Sequence, residues 1–274
     1  MKFATVFGTL LAAEAVLGAR FTEQRRQRAA ERKAKRALDR TSLPRIKADD
    51  SIVEGLDIGN ETAHVEYSTN WAGAVLITTG VKSVTGTIVV PTPSTPSGGS
   101  SRTEYAASAW VGIDGDTCQT SILQTGVDFY VEGSSVSFDA WYEWYPDYAY
   151  TFSGITISAG DTVTMTVTAT STKAGSATIK NVTTGKSVTH TFTAQTDALC
   201  ETNAEWIVED FSSGNSLVPF ADFDTVTFTG ASATTSSGTV GVSGSTILDI
   251  KQSNVVLTSC STSGTSEVIC TYTG

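Results

Sequence analysis

Histidine is nearly absent: the 274-residue chain has two, His64 and His190, and neither sits in a motif for a nucleophile elbow or a zinc helix. That argues against Ser-His-Asp chemistry. No CxxC pair occurs, so the four cysteines do not read as a metal site. The paired Asp-Thr/Ser-Gly loops of an aspartic-type site are missing too; Asp114-Gly115-Asp116-Thr117 is not one, and there is no second copy. Long apolar runs are lacking, the stretch from Phe3 to Ala13 being too short to span a bilayer. Basic charge is scarce in most of the chain. From Tyr67 to Gly274 there are six Lys or Arg against eighteen Asp or Glu, which excludes a nucleic-acid surface on the body.

The basic charge that exists lies at the front. Between Arg20 and Lys47 there are eleven Lys or Arg, against Glu23, Glu31 and Asp39. Before it, Lys2, the apolar stretch and the small-residue group Leu17-Gly18-Ala19 read as a secretory signal peptide over residues 1–19. Glu23 to Arg40 consists almost wholly of good helix formers. Residues 20–66 read as a basic propeptide lying on the acidic body, with the extended stretch from Ser51 to Glu66 carrying the processing site. Pairing of that kind would depress the carboxylate pKa values and open in acid. A nucleic-acid or membrane arm, or a solvated linker, is the plainer alternative.

The body, residues 67–274, is rich in Thr, Ser, Val and Gly and has almost no helical periodicity. Strand-length runs include Gly73 to Thr78, Ser83 to Val90, Ala106 to Ile113, Ser121 to Tyr130, Asp139 to Tyr145, Thr162 to Thr170, Ser176 to Asn181, Lys186 to Ala194, Glu205 to Asp210 and Thr225 to Gly230. Strands at this spacing without helices predict an all-β, antiparallel two-sheet sandwich. Cys118, Cys200, Cys260 and Cys270 fit an oxidising compartment. They allow three pairings, among which the sequence does not choose; Cys260 and Cys270 flank a Ser/Gly-rich turn as a hairpin staple would, and Cys118 with Cys200 would then form the second bridge. Of two sequons, Asn60-Glu61-Thr62 and Asn181-Val182-Thr183, the second adjoins a turn signal and is expected to carry a solvated glycan.

Two segments carry most chemistry: Ile122-Leu123-Gln124-Thr125-Gly126-Val127-Asp128-Phe129-Tyr130 and Thr202-Asn203-Ala204-Glu205-Trp206-Ile207-Val208-Glu209-Asp210-Phe211. Strand alternation puts Gln124 on a face with Asp128, and Glu209 on a face with Glu205, opposite Trp206 and Val208. In the same way Asp139, Trp141, Glu143 and Tyr145 share a side. Together with Trp110-Val111-Gly112-Ile113-Asp114-Gly115-Asp116-Thr117-Cys118 and Asp139-Ala140-Trp141-Tyr142-Glu143-Trp144-Tyr145-Pro146, these segments closely resemble the fungal glutamic peptidases, the eqolisins. The resemblance runs from about Ser68 to the C-terminus.

It implies a concanavalin-like jelly-roll sandwich with a cleft on its concave sheet, and a secreted zymogen whose propeptide inhibits it. It implies catalysis by Gln124 and Glu209, with Trp71, Trp110, Asp114, Asp128, Trp141 and Glu143 binding protein or peptide substrates. An ionised Glu can take a proton from water, and an amide can hold the oxyanion that results. Activity in acid then requires Glu209 to stay partly ionised there. A monomer is expected, with no cofactor, metal, nucleic acid or membrane partner. Two rival readings use the same sandwich: a glycoside hydrolase with Glu143 and Glu209 as paired carboxylates, and a non-catalytic lectin-like module. Gln124 separates them, since only the peptidase mechanism depends on it.

Overall fold

The strand Thr162–Ser171 sets the pattern for the body: Val163, Met165, Val167 and Ala169 are buried, and the threonines between them turn outward. β-branched residues favour this half-buried pleat. The structure, a computed structural model, describes residues 27, 31, 36, 39–48 and 65–274. The signal segment expected over 1–19 and the processing stretch up to His64 lie outside the described residues. Met1–Asp39 and Arg40–Gly274 form separate compact units. In the first, Gln27, Glu31, Arg36 and Asp39 are helical.

The second unit is built on two large sheets. One has the order Lys186–Phe192, Ala174–Asn181, Thr162–Ser171, Val81–Val89, Thr225–Thr235, Glu267–Tyr272, Thr258–Ser263, with Gly238–Val240 also on Thr225–Thr235. The other runs Val255–Val256, Thr246–Gln252, Trp71–Ile77, Asn203–Glu209, Glu104–Ile113, Ile122–Glu132, Ser135–Tyr145, Tyr150–Thr151. Its pairings are antiparallel except that Val65–Ser68 adds in parallel to Thr246–Gln252. One apolar cluster contains Ala204, Trp206 and Val208, Leu123 and Val127, Ala140 and Trp144 from the second sheet. It also contains Val84, Ile88, Val163, Met165, Val226 and Phe228 from the first. Trp206 donates its indole N–H to the Thr85 carbonyl at 2.8 Å, so even this large ring leaves no stranded donor.

Alternation forces the opposite edge of the same strands to the other side. Trp71, Trp110, Trp141 and Ile207 belong to a second cluster. The site lies on that side.

Cys118 is bonded to Cys200, and Cys260 to Cys270. The first bridge spans 82 residues, the second 10. Replacing Cys118 and Cys200 by alanine is expected to lower unfolding stability by about 4 kcal/mol in the chain-entropy account, more than the Cys260–Cys270 pair, as read by chemical denaturation of the two double variants.

Two expectations change. Asn181 is buried instead of solvated: its Nδ2 donates to the Thr156 carbonyl at 3.1 Å and to Asp161 Oδ2 at 2.8 Å, while its Oδ1 accepts from the Thr184 backbone N–H. A glycan on that nitrogen would displace both bonds, because here the asparagine closes the turn itself. The strand expected to stop at Gly230 runs on to Thr235, its register shifting between Thr229 and Ser232 opposite Val81–Val89.

Candidate active site

Register arranges the second cluster's face into three rows across the sheet. In one, Glu205 stands opposite Gly112, Gly112 opposite Gln124, and Gln124 opposite Glu143. The next holds Ile207, Trp110, Gly126 and Trp141. The third holds Glu209, Ser108, Asp128 and Asp139. Thus an aromatic row separates two polar ones. Gly126 is required between the tryptophans: a Cβ there would lie 2.5 Å from Trp110 Cβ and 2.8 Å from Trp141 Cζ2. The row is also fixed by hydrogen bonds, Trp110 Nε1 donating to Glu209 Oε2 at 2.9 Å and Trp141 Nε1 to Ser108 Oγ at 3.1 Å. Trp71 meets Trp110 edge-on, with centroids 5.0 Å apart.

An extended stretch of the same chain, Arg40–Ala48, lies over these rows. Arg40–Thr41 pairs with Ser212–Ser213. Farther along, Arg45 N–H donates to the Gly115 carbonyl, Gln119 Nε2 to the Arg45 carbonyl, and Asn70 Oδ1 accepts from Ile46 N–H. Trp71 Nε1 donates to the Leu43 carbonyl at 3.0 Å. Recognition is thus largely through backbone, the mode by which an extended peptide adds to a sheet surface. Helix formers give way here because Pro44 disfavours helical Leu43.

The Arg40 side chain is buried in a pocket of complementary charge. It makes a two-point contact with Asp128 (Nε to Oδ2 3.0 Å, Nη2 to Oδ1 2.9 Å), reaches Glu143 Oε2 at 3.2 Å, and stacks 3.7 Å above the Trp141 ring. Phe211 closes the other side at 4.7 Å. A planar guanidinium suits both the carboxylate fork and the aromatic face. Tyr130 OH donates to Asp128 Oδ2 at 3.0 Å, which fixes that carboxylate from behind.

Next in the chain, Ser42 N–H donates to Glu143 Oε2 at 3.1 Å, and the Ser42 carbonyl accepts from Gln124 Nε2 at 3.5 Å. Gln124, Glu143 and Glu209 are fully buried. They are not core residues; the covering stretch excludes solvent from the face they share.

That covering sets their protonation. Burial raises the Glu209 pKa to about 7, against the Arg40 charge, the Ser42 hydroxyl and the Trp110 indole, which all lower it. Burial also raises Glu143 well above the usual carboxylate range despite Arg40. The pairing expected of Arg25, Arg26, Arg28, Arg32, Lys33 and Lys35 lies outside the described residues; for these two carboxylates Arg40 does not bring the pKa below the ordinary value. One guanidinium is divided among several carboxylates in a dry site, so desolvation exceeds the Coulomb gain. Two carboxylates nearby behave alike: Glu205 is raised well above its normal value by burial, and Asp210, whose Oδ2 accepts from Gln252 Nε2 at 2.7 Å, is raised to about 8.

The expected site residues do not all gather. Gln124, Glu209, Trp71, Trp110, Trp141, Asp128 and Glu143 share one face of the second sheet. Asp114 does not: its carboxylate accepts from the backbone N–H groups of Cys200, Glu201, Thr202 and Asn203. It clamps the chain entering the Glu209 strand, and four donors leave it nothing for substrate. Asp114, Cys118 and Cys200 come within 4.8 Å of one another, but both sulfurs are committed to a disulfide. His190 stacks on Tyr142, centroids 4.0 Å apart, in the other apolar neighbourhood. Sequence reasoning missed Ser108, Asn70, Gln119 and Phe211, none of which carries a motif signal of its own. Arg40 and Ser42 were hidden in a longer basic run.

With the geometry in view, comparison with known proteins is decisive. A profile described as the Peptidase A4 family matches residues 69–272. Aspergillopepsin-2 of Aspergillus niger is 54% identical over 284 residues, covering 98% of this chain and 99% of that protein. Scytalidopepsin B of Scytalidium lignicola is 43% identical over 283 residues, covering 99% and 100%. The crystal structure of scytalido-glutamic peptidase with a transition state analog inhibitor superposes with a TM-score of 0.69 at 46% identity, covering 75% of this chain and 98% of that one. The four motifs, the sandwich and the full-length similarity agree, and the chain belongs to the Peptidase A4 family.

Proposed function

We propose that this chain is a secreted endopeptidase acting in acid, with Gln124 and Glu209 as its catalytic pair and residues 20–66 as a prosegment. The observation that carries the reading is the peptide Arg40–Ala48, which covers this face of the sheet and presents a carbonyl to Gln124 beside Glu209. A surface that takes an extended peptide along its backbone, with an amide and a carboxylate at its centre, is suited to hydrolysing peptide bonds. With the prosegment gone, water replaces it and Glu209 ionises more readily. Glu209 takes a proton from water as the oxygen adds to the carbonyl carbon. The Gln124 Nε2 hydrogens stabilise the oxyanion, and Glu209 returns the proton to the leaving nitrogen as the C–N bond breaks. Trp110 steadies the carboxylate through its indole N–H.

Because Glu143 and Glu209 are raised under the cover, closing it takes up protons. Its hold from these two groups is strongest below their unburied values and weakens as pH rises through the raised ones. Acid alone therefore does not open it through these carboxylates. Activation calls for cutting the chain, in the stretch assigned to processing between Ser51 and Glu66.

Glu143 decides between this reading and a paired-carboxylate glycosidase. It accepts from the Ser42 backbone and from Arg40 in the covered state, so its role is substrate binding. Glu143→Gln is expected to keep peptidase activity, with kcat/KM lowered by on the order of tenfold, since one charge-assisted bond becomes neutral. Assays on an unfolded protein and on a polysaccharide panel check this. A Glu143→Gln variant as inactive as Glu209→Gln, alongside an active Gln124→Ala, would favour the glycosidase.

A further inference from the structure

The path of the covering stretch puts one particular peptide bond at the proposed catalytic pair. Ser42 directs its carbonyl to Gln124 Nε2, and the chain is pinned on both sides of it. On the N-terminal side Ser42 N–H is held by Glu143 Oε2 at 3.1 Å. On the C-terminal side the Leu43 carbonyl accepts from Trp71 Nε1 at 3.0 Å and Asn70 Nδ2 at 3.3 Å. The bond so presented is Ser42–Leu43. A peptide held in this way would ordinarily be a substrate, and a lasting cover must avoid being cut.

We propose that Ser42 makes the stretch an inhibitor instead of a substrate, its hydroxyl standing where the attacking water would stand. The inference rests on the reading of Gln124 and Glu209 as the catalytic pair. Hydrolysis needs a carbonyl directed at the oxyanion donor and a water between the carboxylate and the carbonyl carbon. Ser42 meets the first condition and denies the second. Its hydroxyl is near enough to Glu209 to lower that carboxyl's pKa, though Glu209 Oε1 has no aligned hydrogen-bond partner; its oxygen is anchored by Arg40 Nη1 at 2.8 Å, and the residue is fully buried. Arg40 is itself locked into Asp128 and Glu143, so the hydroxyl is held by a rigid, charged support. Nor can the hydroxyl act in place of the water. Attack of Ser42 Oγ on its own carbonyl carbon would close a four-membered ring.

Removing the hydroxyl should convert cover to substrate. With alanine at position 42, a water can enter beside Glu209. Its proton passes to Glu209 and its oxygen to the carbonyl carbon. The bond to the Leu43 nitrogen then breaks as that nitrogen receives the proton. One water is consumed, and the products are a new carboxyl-terminus at residue 42 and a new amino-terminus at Leu43.

The test follows the full chain from pH 4 to pH 8, the range over which a Glu209 raised to about 7 under the cover becomes ionised, by mass spectrometry of its termini, in the wild type, Ser42→Ala and Ser42→Thr. The Ser42→Ala chain is expected to yield fragments beginning at Leu43 at least about tenfold faster than wild type, a modest requirement for a freed general base. Ser42→Thr, which keeps a hydroxyl, should behave as wild type. A second measurement does not depend on the folding of any variant. Synthetic peptides spanning Asp39–Ala48, with serine or alanine at position 42, are added to acid-activated wild-type enzyme digesting an unfolded protein. The serine peptide should inhibit and stay intact, and the alanine peptide should be cut between 42 and 43. If the enzyme digests protein but both peptides stay intact, or both are cut alike, the role of Ser42 is wrong and the catalytic assignment stands. If the activated wild type digests no protein, both fail.

Discussion

Glu209→Gln and Gln124→Ala are each expected to lower kcat by roughly 10³-fold or more while leaving the fold intact. General-base catalysis and a single oxyanion donor each contribute on the order of 10² to 10⁴. Glutamine in place of Glu209 cannot take the proton from water, although it still fills the space beside Trp110. Alanine in place of Gln124 removes the one amide that meets the presented carbonyl. Both side chains sit on the covered face of the second sheet and not among the apolar residues between the sheets, so near-native circular dichroism should accompany the loss. The double variant should be little worse than the poorer single one, because the two act on the same step. Steady-state kinetics on folded variants checks all three.

The full chain is expected to be most stable in mild acid and to lose roughly 5 kcal/mol or more between pH 4 and pH 8, since each tenfold gain in a carboxylate's proton affinity on folding is worth about 1.4 kcal/mol. Burial raises Glu209 from 4.5 to about 7, Asp210 from 3.8 to about 8, and Asp249 from 3.8 to about 6. The folded chain therefore keeps protons that the unfolded chain has already released. Stability from these groups is fully present below the unfolded values near 4 and is lost as pH rises through the folded ones. Glu143 and Glu205, raised in the same direction, add to it. Thermal unfolding from pH 4 to pH 8 checks the sign: a melting temperature that rises towards neutrality would mean that these carboxylates are ionised in the folded chain.

Alternation within single strands is legible in the amino-acid sequence. It puts Glu205 and Glu209 on one side of their strand and Trp206 and Val208 on the other, and it separates Trp141 and Glu143 from Ala140 and Trp144, because the side-chain period of a strand is fixed by the backbone. Register is not legible. Nothing local says that Gly112 stands between Glu205 and Gln124, or that Gly126 makes room for two tryptophans, since those facts depend on which strands adjoin.

Misreadings have physical sources as well. The family resemblance places Asp114 at the site, yet four backbone N–H groups converge on it from a segment more than eighty residues away. Asn181 next to a turn signal reads as solvated, but the turn folds over it. Charge alone argues that the carboxylates facing the basic arm become stronger acids. For Glu143 and Glu209 beside Arg40 the direction is reversed by the dryness of a site whose cover comes from the same chain, and dryness leaves no mark in composition.

The most direct test of the central claim is digestion of an unfolded protein by the acid-activated wild type in the presence of pepstatin, with folded Glu209→Gln beside it. Hydrolysis by the wild type undiminished by pepstatin, and none by Glu209→Gln, is the predicted result. Hydrolysis abolished by pepstatin, or retained by Glu209→Gln, would contradict the account.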